Sequence, residues 1–506
     1  MVETRENRRE IAESYNPKRL WDPRFYTDEI NMELRRAGFR PDWIDSTRRP
    51  IIDDTFTGGI FDNSLLRIAS VFNIKGHVLY EFIAKILHPS KRITSDTLDE
   101  RGLEERAKYE FAHISAWNAM ALPSPKVITS FSEDIGENKK PLIVHTILME
   151  YIGNPAHDLD IIAINTKISE YGKRLEDAFY TPEQKERLKA AIKSLNQGRK
   201  DILKSTLKTQ IETELLGTYY IEAGEGKGKL PVRSYSATDQ LKSAIHCAKE
   251  FKRWNQVMGG IVDPRAQSLD RTIEMPLGYE CNEAFHSLVT LLFPEKKRRR
   301  YVQGDEFLHH YMYDSREGKE VVSVMIDANL AQLGDPLYSA MKTLTSPLLI
   351  EIAYEELAEL VEFRNELLTK RATELSKSLP GIEKLVERED SEASLLRADL
   401  FALFLIPKLM GLKARDENRN KPHFERLYSS VKPYANSLVN FPSNEKPELV
   451  SFNCYDSKES IDALRKRLNE VLSHIKARHK LNGKLEGMIG SVESFLIKNN
   501  YLESGR

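Results

Sequence analysis

Two kinds of hydrophobic pattern follow one another in the first third of the chain. Between Ile51 and Leu87, short apolar stretches alternate with turn residues, and VLYEFIAKIL predicts the last strand of this group. From Leu103 to Leu122 apolar residues recur at helical spacing, and Pro123 ends the predicted helix. LIVHTILMEYIG is a long apolar run with β-branched residues, which predicts an internal strand ending before Gly153. This order of elements predicts a small α+β unit.

The rest of the chain is predicted to be mainly helical. Asn165–Leu216 is charged and helical, with a helix start at Thr181-Pro182-Glu183, and RYVQGDEFLHHYMYD and EVVSVMIDANLAQLGDPLY are extended segments. Beyond Ser346 the clearest predicted helices are Ile350–Lys377, Ser394–Leu412 and a final one at Arg465–Lys480. We therefore predict an extension over 1–50, a β-rich unit over 51–153, a helical unit over 154–345 with a charged helical insert at about 165–235, and a helical region over 346–506.

Composition excludes several classes of protein. Lys and Arg number 75 against 76 Asp and Glu, so the net charge of -1 gives no overall attraction to nucleic acid or an anionic membrane. The three cysteines are far apart, which excludes a disulfide framework and fits a reducing compartment. The segment Leu395–Leu412 contains Arg397, Asp399 and Lys408, so it is interpreted as a buried helix rather than a membrane span. MVETRENRRE lacks the apolar core of a signal peptide, and we expect a cytoplasmic protein.

A lysine and a glutamate stand at positions where the pattern predicts burial. Lys85 lies in the strand FIAKIL, whose two faces are both apolar, and a lysine buried there needs a counter-charge. Glu110 falls in the middle of the apolar stripe of the Leu103–Leu122 helix, and we predict that it meets Lys85. The alternative is that the long stem of Lys85 carries its ammonium to water from an edge strand.

Two aspartates end or follow extended segments. Asp305 lies in Val302-Gln303-Gly304-Asp305, and Asp327 ends the apolar strand VVSVMID. A carboxylate at the end of a buried strand is suited to bind Mg²⁺, although an Asp at this place also commonly caps a turn or helix. Asp335, eight residues after Asp327 in Gly334-Asp335-Pro336, is interpreted as a turn or cap.

In their order, these segments resemble the aminoglycoside phosphotransferase and choline kinase superfamily, a branch of the protein-kinase-like fold. Gln303-Gly304-Asp305 is similar to the catalytic loop of that family, and Ile326-Asp327 with Gly334-Asp335-Pro336 is similar to its metal strand. The segments ILMEYIG, PSPKVI and Thr57-Gly58-Gly59 resemble the hinge, the segment after the first helix and the glycine turn. The resemblance covers roughly Ile51 to Met341. It implies an α+β, two-lobed kinase-like fold with a small β-rich N-lobe, a helical C-lobe, a helical insert and a mostly helical C-terminal extension.

The resemblance also implies a reaction and a set of site residues. The chain is expected to transfer the γ-phosphate of ATP or GTP, with Mg²⁺, to a hydroxyl of a small-molecule acceptor. Asp305 would accept or orient the proton of that hydroxyl, and Asp327 would bind Mg²⁺. The remaining expected nucleotide-binding residues are Gly58, Gly59, Lys85, Glu110, Glu150 and Ile152.

Two residues depart from the family pattern. Gln303 stands where the catalytic loop of the family has His, a position that is often structural. His310 stands five residues after Asp305, where the family has a second metal-binding Asn, and imidazole is a poor substitute for an amide oxygen at Mg²⁺. His310 is therefore either a metal ligand or a sign that one metal site is lost. A catalytically impaired nucleotide-binding pseudokinase or interaction module is accordingly an alternative to an active enzyme.

One run of charge bears on the acceptor. Lys296, Lys297, Arg298, Arg299 and Arg300 are five consecutive cations just before the strand that leads to Asp305. Such a run could contact RNA and would favour a kinase that acts on RNA or protein. The favoured interpretation is a solvated loop, because the chain as a whole is neutral.

Overall fold

The structure of the protein, a computed structural model, describes slightly more than half of the chain. The described residues are 35–36, 51–53, 64–72, 75, 78–87, 100–134, 143–152, 156–222, 229–234, 299–314, 322–386, 391–411, 457–481, 483–498 and 500–502. The glycine turn Gly58-Gly59, the three cysteines and Lys296 to Arg298 lie outside these residues.

A five-stranded sheet forms the first unit. Its strands are β1 (Ile51–Asp53), β2 (Ser64–Phe72), β3 (Val78–Leu87), β4 (Val127–Asp134) and β5 (Ile143–Glu150). They lie in the order β1-β2-β3-β5-β4, and every neighbouring pair is antiparallel. Strand β3 is internal. The alternative in which Lys85 reaches water from an edge strand is therefore wrong. The long apolar run of β5 is buried from Val144 to Met149, as its composition predicts.

Helix α1 (Glu100–Ala119) packs against this sheet. Its residues Leu103 and Ala107 form an apolar cluster with Leu87, Ile147 and Met149 of β3 and β5. The helix begins and ends three residues before the predicted bounds, since Ala121 adopts a φ of 54° and breaks the helical path ahead of Pro123. The predicted apolar stripe is nevertheless the buried face.

Helices make up most of the remaining described chain. They are α2 (His157–Glu176), α3 (Pro182–Glu222), α4 (Pro336–Leu344), α5 (Tyr354–Leu375), α6 (391–411), α7 (Ser457–Arg478) and α8 (Gly483–Lys498). Their apolar faces share one large core, in which Phe401, Phe404 and Leu468 are wholly buried. No helix in the described part of the chain has both the length and the apolar character needed to cross a bilayer.

Two small sheets lie among these helices. The strands β7 (Arg300–Val302), β10 (Gln332–Gly334) and β6 (Arg233–Ser234) form one sheet, in the order β6-β10-β7. The hairpin of β8 (Tyr311–Asp314) and β9 (Val322–Met325) forms the other. The loops that follow β7 and β9 carry Asp305 and Asp327, so these short strands hold both aspartates against the helices.

Helix α3 confirms one prediction and corrects another. It begins at Pro182, and Thr181 and Gln184 bond reciprocally to each other's backbone N–H groups at 3.3 and 2.8 Å, a capping box. The charge of the insert predicted at about 165–235 favours a solvent-exposed helical hairpin, and this expectation is wrong for the second half of α3. From Arg199 to Thr218 that helix is largely buried, because its small and threonine-rich face packs on β7 and β9.

The C-terminal end holds one helix more than predicted. The helix expected at Arg465–Lys480 is α7, but α8 follows it, and Ile489, Val492 and Leu496 of α8 are buried at helical spacing. The sequence contains this periodicity, so the prediction that the helix at Arg465–Lys480 is the last one is wrong.

A buried hydroxyl joins α1 to β7. Tyr301 is fully buried, and its hydroxyl lies 2.7 Å from His113 Nδ1 and 2.8 Å from Trp117 Nε1, which donates to it. The ring of Tyr301 lies against α3 at Gly217, where a Cβ atom would come within 2.2 Å of Tyr301 Cδ1. Glycine is therefore required at 217 by the close approach of this ring.

We predict opposite effects for two alanine substitutions in α3. Gly217→Ala should lower the free energy of unfolding by about 1–3 kcal/mol, because the new methyl group displaces Tyr301. Gly198→Ala is the matched control, since a Cβ there meets nothing within 4 Å, and it should raise the free energy of unfolding by about 0.5–1 kcal/mol through helix propensity. Urea denaturation followed by circular dichroism measures both values. Equal shifts of the same sign would contradict the packing at Gly217.

Candidate active site

The predicted lysine–glutamate pair is present, and an aspartate joins it. Lys85 Nζ of β3 lies 2.6 Å from Glu110 Oε1 of α1 and 3.2 Å from Asp327 Oδ1, in the loop after β9. The side chains of Lys85 and Glu110 are 7% and 0% exposed, and that of Asp327 is 17% exposed. Lys85 is therefore a buried cation between two carboxylates rather than a lysine whose end reaches water.

The charges of this cluster stabilise one another. Burial lowers the pKa of Lys85, but the negative charges of Asp327 and Glu110 raise it by more, so the resulting pKa lies above the ordinary value. Burial raises the pKa of Asp327, and Lys85 and His310 lower it by more, so that its pKa lies below the usual range. Asp327 is thus held as an anion that keeps some access to solvent.

The backbone holds Asp327 in an uncommon conformation. Its φ is 62°, in the left-handed region that few residues other than glycine adopt. Asn329 N–H donates to Asp327 Oδ1 at 3.2 Å. Gln303 Nε2 donates to the carbonyl oxygens of Ile326 and Asp327 at 3.0 and 2.7 Å. The Gln that departs from the family motif therefore ties the Asp305 loop to the Asp327 loop.

The Asp305 loop depends on Gly304. That glycine has a φ of 90°, and a Cβ atom there would lie 1.8 Å from the carbonyl oxygen of Leu330. Its N–H donates to Glu306 Oε1 at 2.7 Å. No other residue fits this turn, which presses the Asp305 loop against the chain that follows Asp327.

His310 lies between the two aspartates. Its Nδ1 is 2.6 Å from the carbonyl oxygen of Asp305 and 3.5 Å from Asp305 Oδ2, and its Nε2 is 3.8 Å from Asp327 Oδ2. Burial lowers the pKa of His310, but Asp305 and Asp327 raise it by more, and the net shift is upward. Burial raises the pKa of Asp305 against the opposing charges of His310 and Lys342. These carboxylates and the imidazole form one electrostatic unit.

Lys342 and Glu306 were not predicted as site residues. Lys342 of α4 is 9% exposed, and its Nζ donates to the carbonyl oxygen of Gly304 and lies 3.5 Å from Glu306 Oε2. Thr343 Oγ1 donates to the carbonyl oxygen of Glu306 at 2.6 Å. A lysine within the apolar segment PLYSAMKTL was the signal that could have identified Lys342, by the argument that applied to Lys85.

The other predicted residues are two beside the strand of Lys85, one helix cap and two glycines outside the described residues. Glu150 ends β5 opposite Phe82 of β3, and Ile152 follows it as a buried residue, so both lie beside the strand of Lys85. Asp335 caps α4, as expected, by accepting from Leu337 N–H at 2.9 Å and Tyr338 N–H at 3.3 Å. Gly58 and Gly59 lie outside the described residues.

The basic run is described only at its end. Arg300 Nε donates to the carbonyl oxygen of Leu385 at 2.7 Å, and its Nη1 donates to the carbonyl oxygen of Arg299 at 3.1 Å. Lys296, Lys297 and Arg298 lie outside the described residues. The guanidinium of Arg300 is thus engaged within the chain itself.

The donor set fits one Mg²⁺ ion better than two. Mg²⁺ requires oxygen ligands and usually takes one or two carboxylates, with waters and substrate phosphates completing its shell. Asp327 supplies such an oxygen from an anionic, partly exposed carboxylate. The position expected to supply a second metal ligand is occupied by His310. Its imidazole places nitrogen rather than oxygen beside Asp327, and its Nδ1 faces Asp305. The site can therefore offer one carboxylate ligand, a buried cation and a second carboxylate, which suits the binding and transfer of phosphate.

No protein-family model and no curated protein sequence matches the chain. Solved structures that are similar to it include the choline kinase of Cryptosporidium parvum Iowa II, at 11% identity over 81% of this chain and 98% of that chain, with a TM-score of 0.37. A Plasmodium vivax ethanolamine kinase has 13% identity over 87% of this chain and 97% of its own, with a TM-score of 0.33. The GDP complex of wild-type aminoglycoside 2'-phosphotransferase-IIIa has 12% identity over 82% and 99%, with a TM-score of 0.38.

Proposed function

We propose that the protein is a Mg²⁺-dependent phosphotransferase that moves the γ-phosphate of ATP or GTP to a hydroxyl of a small molecule. The observation that carries this proposal is the position of Lys85 between Glu110 and Asp327, with Asp305 joined to Asp327 through His310. Phosphoryl transfer asks for a cation on the donor phosphates, a metal-binding carboxylate and a carboxylate at the acceptor hydroxyl. All three are within one cluster here.

Lys85 is the residue proposed to bind the donor phosphates. Its ammonium has Glu110 as a buried partner, and Asp327 as a second partner that is closer to solvent. A phosphate oxygen could replace the Asp327 contact while Glu110 keeps the lysine in place. Glu110 is in this way a positioning residue, because it acts on the nucleotide through Lys85.

Asp305 is the residue proposed to orient the acceptor hydroxyl and accept its proton. Its side chain is 25% exposed, and its pKa is raised, which makes it a better proton acceptor than an ordinary aspartate. Lys342 provides positive charge near it, which stabilises negative charge that develops on the transferred group. When bound at Asp327, Mg²⁺ would act as a Lewis acid on the phosphate oxygens.

One observation favours a second candidate function, a nucleotide-binding module with little turnover. His310 occupies the position between Asp305 and Asp327 at which the resembled family has an oxygen ligand, and its Nδ1 lies on Asp305. Such a module would bind nucleotide through Lys85 and Asp327 without transferring phosphate. The two candidates therefore agree on binding and differ on transfer.

Two conservative substitutions separate binding from transfer. Asp305→Asn should reduce transfer from labelled ATP or GTP by about 10²–10⁴-fold and leave the nucleotide-induced rise in Tm intact. Asp327→Asn should abolish both transfer and the Mg²⁺-dependent part of that rise. Asp462→Asn is the matched control, because Asp462 is 53% exposed on α7, and it should change neither.

The outcomes discriminate among the hypotheses. Transfer that persists in both Asp305→Asn and Asp327→Asn contradicts the assignment of these two aspartates to the transfer site. A wild-type chain that binds Mg²⁺-nucleotide but transfers nothing to a pool of small-molecule alcohols supports the binding module. If transfer occurs only to total RNA or protein, the small-molecule acceptor is wrong while the site assignment stands.

His310→Asn should improve the catalytic site. The substitution replaces an imidazole nitrogen beside Asp327 with an amide oxygen, the donor that Mg²⁺ prefers. We expect the apparent affinity for Mg²⁺ to rise about tenfold and turnover to rise with it, measured as initial transfer rates over a Mg²⁺ titration. His309→Asn is the comparison variant, since it removes an exposed imidazole that stacks on Phe307 and meets the ring of His310 only edge-on, at 4.1 Å between centroids. Reduced transfer in His310→Asn alone would instead make the imidazole itself part of the catalytic machinery.

A further inference from the structure

A second polar cluster lies in the C-terminal helices. Asp399 of α6 places its Oδ2 2.9 Å from His474 Nδ1 of α7 and 2.6 Å from His479 Nε2, just after α7. The three side chains are only 2%, 8% and 7% exposed. All three potential ligand atoms lie within 4.8 Å of one another. Two imidazoles therefore converge on one carboxylate oxygen from different positions along the chain.

Among the described residues, no lysine or arginine supplies a counter-charge to Asp399. Within the described residues, its ion-pair partners are His474 and His479 alone, and neither a lysine nor an arginine lies at ion-pair distance. Tyr354 of α5 donates its hydroxyl to the other oxygen, Asp399 Oδ1, at 2.7 Å. A buried carboxylate that faces two imidazole nitrogens is a setting in which a bound cation can supply the missing counter-charge.

We propose that Asp399, His474 and His479 form a binding site for Zn²⁺. Two imidazole nitrogens and one carboxylate oxygen are ligands that zinc takes in proteins, whereas Mg²⁺ and Ca²⁺ take oxygen ligands. Ligand atoms around a tetrahedral zinc lie about 3.3 Å apart, so the two N···O separations need to widen by less than about 1 Å. The Tyr354 hydroxyl orients the carboxylate from its other oxygen, which is the usual arrangement around a metal ligand.

The ion would add a metal link between helices that already meet through apolar packing, hydrogen bonds and an ion pair. Asp399 lies on α6, His474 on α7, and Tyr354 begins α5, so the site joins these three helices. Two residues before Asp399, Arg397 forms an ion pair with Asp335, the cap of α4. Zinc would accordingly stabilise the C-terminal helices and their contact with α4. This proposal does not depend on the phosphotransferase activity.

Metal titration of the full chain tests the proposal. After treatment with a chelator and dialysis, the protein should bind one equivalent of Zn²⁺ with a Kd below about 1 µM by calorimetry, and Zn²⁺ should raise its Tm. Mg²⁺ at the same concentration should do neither. His479→Gln should weaken the binding of Zn²⁺ by at least about 100-fold, as should Asp399→Asn. His145→Gln is the matched control, because His145 lies in β5 and not in the C-terminal helices. This variant should bind Zn²⁺ as the wild type does.

Cobalt spectroscopy of the unaltered chain keeps the test independent of whether the variants fold. Co²⁺ should give the intense visible bands of a tetrahedral site without the near-ultraviolet thiolate band, because the proposed ligands include no cysteine. A wild-type chain that binds no Zn²⁺ tighter than about 10 µM would overturn the proposal. A thiolate band, or unchanged affinity for Zn²⁺ in a folded His479→Gln variant, would overturn it as well.

Discussion

One buried cation holds the candidate active site together. Lys85 comes from the centre of the five-stranded sheet, Glu110 from the helix packed on that sheet, and Asp327 from the loop after β9 among the C-terminal helices. An ammonium in such surroundings is stable only with its carboxylates in place, and loss of one partner from a buried pair costs about 3–5 kcal/mol. The ion pairs therefore require the sheet, α1 and the Asp327 loop to adopt their observed relation.

The two aspartate loops are joined to each other by a second set of contacts. Gln303 bonds to two carbonyl oxygens at Ile326 and Asp327, Gly304 fits closely against Leu330, and Lys342 binds the carbonyl oxygen of Gly304. Tyr109, next to Glu110 on α1, donates its hydroxyl to the carbonyl oxygen of Ala331 in the same loop. Hydrogen bonds from Gln303 and Tyr109 thus hold the loop in which Asp327 has its positive φ.

The sequence predicted those parts of the site that depend on local pattern. An apolar strand with one lysine and an apolar helical stripe with one glutamate suffice to predict a buried pair, because burial of either charge alone is unfavourable. Asp335 as a helix cap and the helix start at Thr181 are equally local. The contact of Lys85 with Asp327 and the place of His310 between two aspartates could not be predicted, since they depend on how distant segments meet.

The same distinction explains the errors in the fold. The second half of α3 is buried although its composition is polar, because Thr206, Thr209 and Thr213 satisfy their hydroxyl groups with nearby carbonyl oxygens and can then face the core. Threonines in a charged helical segment are ordinarily expected at the surface.

Asp399 shows the opposite case. Its local pattern indicates only a charge in an apolar helix, because its histidine partners lie 75 and 80 residues farther along the chain.

The central claim is that the cation of Lys85, fixed by Glu110, binds the phosphates of a nucleotide. The most direct test compares the Kd for Mg²⁺-ATP and Mg²⁺-GTP of two double variants that each remove one lysine–glutamate pair. We expect K85M/E110Q to lose about 10–100-fold in affinity, because charge-assisted bonds are worth about 1.5–3 kcal/mol. The exposed pair on the same helix supplies the control, and E104Q/K108M should bind as the wild type does. Equal affinities in the two double variants would contradict the claim.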